Sequence, residues 1–422
     1  MIGNIINTVS TRIALAALAI VLLLLNSNFL GSEGLGIVGI LVLEVAIYLL
    51  ISNLICGGSL IYFASKKKQN ELLISSYTWI LITASLFFFV TSYVPYLQSD
   101  FAKDVFFLGL LQSGVGTHIN LLAGKQKIKQ FNSITLLQVV VQMGSLCVFY
   151  FLLDQANVQA FINSTYLGYG LAFVVSFIRL IPQLEKNISL PHFSLFKELI
   201  QYGFYLQIAN VTQLLNYRLS YLLLNHYSGV SAVGTFMPGV QLSEGVLLPS
   251  KSIGIVQYAK ISRLKSRKQA ALLSVKLLKI TILLSLPLIL ILILIPSSIY
   301  ASVLKEDFRN TPQIIALMGI GVLALAGEII LSRYFSGTGQ QKVNASSSSL
   351  GLLVTVVAGF SLIPSFGMWG AAITASCSFV SIFVFLLYRM IRSTDLQLRD
   401  FWFRKEDVVF LKRLIRLVRR KG

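Results

Sequence analysis

Apolar runs long enough to cross a lipid bilayer recur from one end of this chain to the other. A helix needs roughly 20 apolar residues to traverse a hydrocarbon core of about 30 Å. Runs of that kind occupy residues 5–25, 36–64, 72–94, 105–123, 134–153, 161–181, 199–224, 235–258, 271–295, 314–335, 350–363 and 368–390. The run at 350–363 is the weakest, because Ser346, Ser347, Ser348 and Ser349 dilute its start. A spanning β-barrel would show alternating segments of about 10 residues instead, and the sequence has none. The pattern predicts an all-α polytopic membrane protein with about 12 transmembrane helices.

Composition closes the soluble alternative. Hydrophobic residues make up 55% of the 422 and charged residues 12%, about half the charge of an average soluble chain. The net charge of +19 would suit nucleic acid as a partner, but its placement points to a membrane. Alternate loops hold the cations: Lys66, Lys67 and Lys68; Lys125, Lys127 and Lys129; Lys186 and Lys197; Lys260, Arg263, Lys265, Arg267 and Lys268; then Lys342. The intervening loops hold almost none, and Lys103, Lys305 and Arg309 are balanced by Asp100, Asp104, Glu306 and Asp307. This is the positive-inside pattern. It predicts a multi-pass membrane protein with both termini cytoplasmic, contacting membrane lipids and no nucleic acid. The first span can itself direct insertion, so no cleaved leader is expected.

Cys56, Cys147 and Cys377 fall in separate spans and read as small buried hydrophobes, with no disulfide or metal framework. Residues 393–422 interleave Arg404, Lys405, Lys412, Arg413 and Arg416 with Trp402, Val409, Leu414 and Val418. That spacing fits either a basic amphipathic helix on anionic lipid or a frayed charged tail.

No loop is long enough to fold alone, and no GxxxxGK[ST] phosphate loop is present. ATP-driven transport and polysaccharide polymerisation, which need a soluble domain or a large loop, are disfavoured. The chain also echoes itself. Gly31-Ser32-Glu33-Gly34-Leu35-Gly36 matches Gly229-Val230-Ser231-Ala232-Val233-Gly234; Gly58 to Tyr62 matches Gly254 to Tyr258; Gly124-Lys125-Gln126-Lys127 matches Gly339-Gln340-Gln341-Lys342. Three echoes in one order predict a duplicated six-span unit. An even span number makes the two copies parallel. The expected lobes are 1–190 and 191–392.

An ionisable side chain inside a span costs several kcal/mol and is functional by default. Six qualify: Arg12, Glu44, Arg218, Glu244, Lys251 and Glu328. Asn4, Thr8 and Arg12 share a helix face, as do Glu44, Tyr48 and Ser52. Gln207, Asn210, Gln213, Tyr217 and Ser220 make a polar stripe along the seventh span, beside Arg218. Glu244 and Lys251 lie two turns apart on the eighth, with Pro249 between them where a helix would bend. The spans carrying these stripes are equivalent in the two halves. The simplest geometry lines one cavity with Arg12, Glu44, Tyr48, Gln207, Asn210, Arg218, Glu244, Lys251 and Glu328. Its cations favour an anion, and arginine grips a diphosphate by paired hydrogen bonds. The plainer alternatives are snorkelling of Arg12 and Lys251, and mutual neutralisation of Glu244 and Lys251. Gln112, His118 and Asn120 on the fourth span read as satisfied structural groups.

Phe29-Leu30-Gly31-Ser32-Glu33-Gly34-Leu35-Gly36 resembles the first loop of Wzx-type flippases for lipid-linked oligosaccharides. Those belong to the multidrug/oligosaccharidyl-lipid/polysaccharide exporter superfamily. Asn216-Tyr217-Arg218-Leu219-Ser220-Tyr221, then Val233-Gly234-Thr235-Phe236 and Ser252-Ile253-Gly254-Ile255-Val256-Gln257-Tyr258, look like the opening of that family's second half. The resemblance implies alternating access, in a bacterial cytoplasmic (inner) membrane, for a polyprenyl-diphosphate-linked oligosaccharide in O-antigen, capsule or exopolysaccharide synthesis. No bond is made or broken, no cofactor is needed, and coupling to H+ or Na+ and contact with other polysaccharide-assembly proteins stay open. Many relatives carry an acidic residue near Asn216; the neutral side chain here puts ion coupling at that site in doubt. The alternative within the same fold is an ion-coupled multidrug exporter, for which Glu44 with Tyr48 would be the cation site. A membrane glycosyltransferase or polymerase would want large loops and clustered carboxylates, and a scaffold would not need charges at membrane depth.

Overall fold

The computed structural model describes residues 2–401 except 65, 94–99, 186–190, 262, 263, 265 and 395. At residues 2–9, 13, 205, 206, 208, 209, 213, 217, 256, 259, 398 and 401 only the backbone course is described. The tail reading at 402–422 therefore lies outside the described residues.

The described chain is helical, with no strand. Its α-helices are α1 (Ile2–Cys56), α2 (Gly58–Phe63), α3 (Gln69–Tyr93), α4 (Ala102–Gly124), α5 (Ile128–Cys147), α6 (Val158–Leu180), α7 (Phe193–Ser228), α8 (Val230–Gly245), α9 (Leu248–Ile261), α10 (Arg267–Leu294), α11 (Ser297–Leu304), α12 (Thr311–Gly337) and α13 (Gln341–Ser393).

Eight helical stretches are long and apolar enough to cross a membrane. Two of them are each two passes. α1 has 55 residues and α13 has 53, roughly 80 Å at 1.5 Å per residue, far more than a bilayer needs. Each is broken at one glycine: Gly31 at φ 67°, ψ −169°, and Gly367 at φ 52°, ψ −128°. Ten passes result. α7, and α8 with α9, supply the other two, and these carry most of the polar stripes. The chain is thus an all-α polytopic membrane protein of twelve passes.

The weak eleventh run is one of the regular ones. Its serines are helical: Ser346 donates to the Lys342 carbonyl and Ser347 to that of Asn344, so the hydroxyls are satisfied inside their own helix. Ser347, Gly351, Thr355, Gly359 and Ile363, four apart, are all buried. Ser378 on the returning pass donates to the Gly351 carbonyl at 2.9 Å. Small residues along one seam let the two backbones approach closely, which is how helices associate in lipid.

The duplication is visible in backbone conformation. Gly31 and Gly229 both turn with positive φ and extended ψ before a helix begins, a conformation that favours glycine. The third echo has a different register from the expected one. α4 ends at Gly124, Gln126 takes φ 63°, and Lys127 N–H donates to the Leu122 carbonyl. α12 ends at Gly337, Gly339 takes φ 76°, and Gln340 N–H donates to that of Phe335. Gly124 therefore corresponds to Gly337 rather than Gly339.

Two compact units are present. The first comprises residues 1–214 with Val230–Met237 and Val303–Asp307; the second comprises Leu215–Gly229, Pro238–Ser302 and 308–422. The division falls inside α7 rather than at the expected residue 190. In the first unit, one core gathers Ile55, Leu60, Leu72, Leu121, Ile134, Leu180 and Leu199. Its internal polar clamp is His118. Ser176 Oγ gives its proton to the Phe173 carbonyl, so it accepts from His118 Nδ1–H at 2.6 Å. Nε2 is then the acceptor for the Tyr77 hydroxyl at 2.5 Å, and one imidazole ties α3, α4 and α6 together. Asn120 donates to the Cys56 carbonyl. At one end of the unit Glu185 caps α3, accepting from the backbone N–H groups of Gln69 and Asn70. Partial burial pushes its carboxyl up, but those bonds outweigh it and hold the pKa below the usual value. In the second unit, Leu278, Ile330, Leu331, Phe335, Leu386 and Met390 form the core. Cys56 is buried as expected, whereas Cys377 lies on an exposed face of α13; all three cysteines are free.

Candidate functional site

In the second unit the polar face of α7 is organised around Arg218. Its Nη1 donates to the Tyr221 hydroxyl at 2.9 Å, and the guanidinium lies 5.0 Å from the Tyr221 ring centroid. Nη2 is 3.7 Å from Oε1 of Glu244 on α8. That length gives attraction without a tight hydrogen bond. The two side chains are 32% and 34% exposed, so the pair is not sealed from solvent. Two residues before Arg218 lies a buried amide: Asn216 donates to the Ser348 carbonyl at 3.1 Å, and its own Oδ1 has no hydrogen-bond partner.

The ion pair that Glu244 makes is with Arg218 on α7, where the pairing alternative set it against Lys251. α8 stops at Gly245 and α9 begins at Leu248. Pro249 causes this: it has no N–H for the Gly245 carbonyl four residues back, and its ring collides with that turn. The break interrupts the helix between Glu244 and Lys251, and Lys251 stands exposed on α9. Glu328 is half-buried on α12. Farther along α12, the stem of Arg333 packs at Gly254 of α9, where a Cβ would meet Arg333 Cγ at 3.3 Å.

The sequence reading omitted Lys276 and Lys279. Both lie within the apolar run at 271–295, and Lys279 is buried on α10 at 6% exposure; each makes interactions of its own. The rule that flagged Arg218 applies to them equally. With Arg333 included, the membrane-depth charges named in this unit are five cations, Arg218, Lys251, Lys276, Lys279 and Arg333, against Glu244 and Glu328.

In the first unit, Gln207 is buried and donates to the Leu50 carbonyl at 2.7 Å. Asn210, exposed, donates to the Gln207 side-chain oxygen. Arg12 is exposed on α1, and Glu44 is half-buried with an interaction of its own. Tyr48 shares a helix face with Glu44 yet is 1% exposed. Its ring stacks edge-on with Phe87 and presses on Gly109, and its hydroxyl donates to the Ile80 carbonyl at 3.4 Å. That setting is packed core rather than the open face expected of it. The side chains of Asn4, Thr8, Gln213 and Tyr217 lie outside the described residues.

A helical, twelve-pass chain of two units, with polar and charged side chains carried at membrane depth, defines a polytopic membrane-protein fold. The solved structures it resembles are of that kind. A lipid II flippase MurJ in an inward closed conformation superposes with a TM-score of 0.74 at 16% identity, covering 95% of this chain and 89% of that one. An inward-facing multidrug resistance MATE family transporter of the MOP superfamily gives 0.67 at 15%, covering 87% and 93%. A MOP superfamily transporter from Pyrococcus furiosus, described by the reverse polarity of its binding pocket, gives 0.61 at 14%, covering 92% and 95%. The chain has the fold of the MOP superfamily transporters. In sequence, the family described as Lipid II flippase MurJ matches residues 240–415. Uncharacterized membrane protein MJ1068 of Methanocaldococcus jannaschii is 23% identical over 293 residues, which is 66% of this chain and 56% of that protein.

Proposed function

We propose that this protein is a flippase that moves a polyprenyl-diphosphate-linked oligosaccharide across the cytoplasmic membrane by alternating access, supplying cell-surface polysaccharide synthesis. The observation that carries the reading is the excess of cations at membrane depth in the unit that holds Arg218, whose guanidinium is braced by Tyr221 and lies 3.7 Å from Glu244. Buried charge is retained in membranes where it meets a partner or a substrate. A diphosphate matches the planar fork of an arginine, and nearby lysines add field without demanding geometry. The sugar–diphosphate head would pass through the protein while the polyprenyl tail stays in lipid, with no bond made or broken.

The match at residues 240–415 to a lipid II flippase family supports the same chemical class, since it lies over the half that carries Arg218's acidic neighbour and the lysines. Orientation follows the loop charges, with both termini cytoplasmic. Arg218→Ala should abolish surface polysaccharide while the protein stays in the membrane at normal abundance. Normal polysaccharide in that variant would remove Arg218 from the substrate path.

The second reading, an ion-coupled multidrug exporter, draws on the MATE structural neighbours and on half-buried Glu44. Loss of resistance to cationic drugs in Glu44→Gln, with polysaccharide intact, would favour it. Coupling to H+ or Na+ belongs to either reading.

A further inference from the structure

The turn at Gly31 is held from outside its own helix pair. Two segments from later in the sequence, Val230–Met237 and Val303–Asp307, pack within the first unit, and both converge there. Asn28 Nδ2 donates to the Val303 carbonyl at 2.5 Å. One oxygen of Asp307 accepts both the backbone N–H of Ser32, at 3.0 Å, and its hydroxyl, at 2.7 Å. Ser231 Oγ donates to Ser32 Oγ at 3.1 Å. The carboxylate thus satisfies a free N–H at the start of the second pass of α1, where the helix dipole also favours negative charge. Between the two anchored ends of the later segment, Lys305 takes φ 107°, a backbone region costly for any residue with a Cβ and kept only where the surroundings enforce it.

Beneath these bonds the helices touch backbone to backbone. A Cβ on Gly36 would overlap the Val230 carbonyl, and one on Gly234 would overlap that of Ser32. One turn further along both helices, Met237 fills the space over Gly39. The two glycines are the repeat-equivalent pair, so the duplicated motif meets its own copy. The polar bonds above the crossing are few and exposed, and such bonds are individually weak. Immediately after Met237 comes Pro238, which lies inside α8 and denies Gly234 its helical N–H partner. A helix bends most easily at such a point.

We propose that Ser32, Ser231 and Asp307, closing over the Gly36–Gly234 crossing, form a releasable latch for the outer gate of the transport path. In the structure the latch is made. Opening unhooks Asp307 from Ser32, relieves Lys305 and swings the first two turns of α8 about Pro238. The inference rests on the alternating-access reading, but its test does not depend on the substrate. Met237, buried at 6% exposure, is replaced by cysteine in a chain whose three native cysteines are alanine. Labelling by a membrane-impermeant maleimide is then followed in intact cells.

Asp307→Ala, at an exposed position, should raise the labelling rate several-fold. Asp307→Asn, which keeps an acceptor for the Ser32 N–H, should raise it less. Equal labelling in all three backgrounds overturns the latch, as does slower labelling in Asp307→Ala. A faster-labelled Asp307→Ala in cells whose Arg218→Ala variant makes normal polysaccharide would uphold the latch and remove only the Arg218 assignment.

Discussion

Neutralising Glu244 separates two roles for its charge. Glu244→Gln removes a negative charge 3.7 Å from Nη2 of Arg218. Unit charges at that range attract by about 1 kcal/mol in water and about 4 kcal/mol at an effective dielectric of 20. Exposure near one third for both side chains puts the pair toward the watery limit, where measured pairs contribute up to about 1 kcal/mol. Folding should therefore change little, because the Tyr221 hydroxyl still engages the guanidinium. Anion binding should gain what the pair gave up, about 1 kcal/mol or roughly fivefold in affinity. Calorimetric titration of the purified protein with inorganic diphosphate reads this directly. The gain should shrink as salt rises, since screening acts on a partly exposed pair. Weaker diphosphate binding in Glu244→Gln than in the wild type would refute the reasoning. Glu244 would then orient Arg218 for its ligand rather than compete for it.

Other predictions concern the first unit. His118→Leu removes two buried hydrogen bonds and should cost about 1–2 kcal/mol, read as a lower melting temperature in detergent; an unchanged value would mean packing by Phe173 and Phe177 holds those helices alone. Glu185→Gln should cost about 1 kcal/mol, the usual worth of a lost helix cap. Because the folded-state pKa of Glu185 is depressed, its contribution is complete above the unfolded pKa of about 4.3 and is lost as pH falls through the lower folded value. The melting temperatures of wild type and Glu185→Gln should therefore differ at pH 7 and converge in strong acid.

The apolar runs made ten of the twelve passes plain, because length and hydropathy alone decide whether a helix can cross lipid. α7 and the α8–α9 pair are more polar, and their stripes, rather than their hydropathy, marked them. Gly31 and Gly229 were legible as equivalents because the same backbone turn demands the same residue. The Gly339 echo misled by two positions: at the matching turn the first copy places Gln126 in the left-handed region, so glycine identity is a poor guide there. Tyr48 was assigned by helix face alone, and face periodicity does not reveal that Phe87 and Gly109 close over part of that face. The Arg218–Glu244 pair joins two helices across a turn, whereas a spacing rule within one helix could offer only Lys251 as an alternative partner for Glu244. Lys279 was within reach of the rule for charges in spans.

The seam along α13 bears on how the chain enters the membrane at all. A single residue, Gly367, joins its two passes, and the buried stripe from Ser347 to Ile363 is matched by small residues on the way back. The eleventh pass, with its run of serines, is a poor candidate to partition into lipid by itself. Joined so tightly to the twelfth, it need not: the two present one largely apolar exterior with polar groups and bare backbone turned inward, and so are suited to leave the translocation machinery as a hairpin. A chain truncated at residue 367 would strand the eleventh pass with its glycine seam facing lipid. Early termination just before the final pass should therefore cost the cell two passes rather than one.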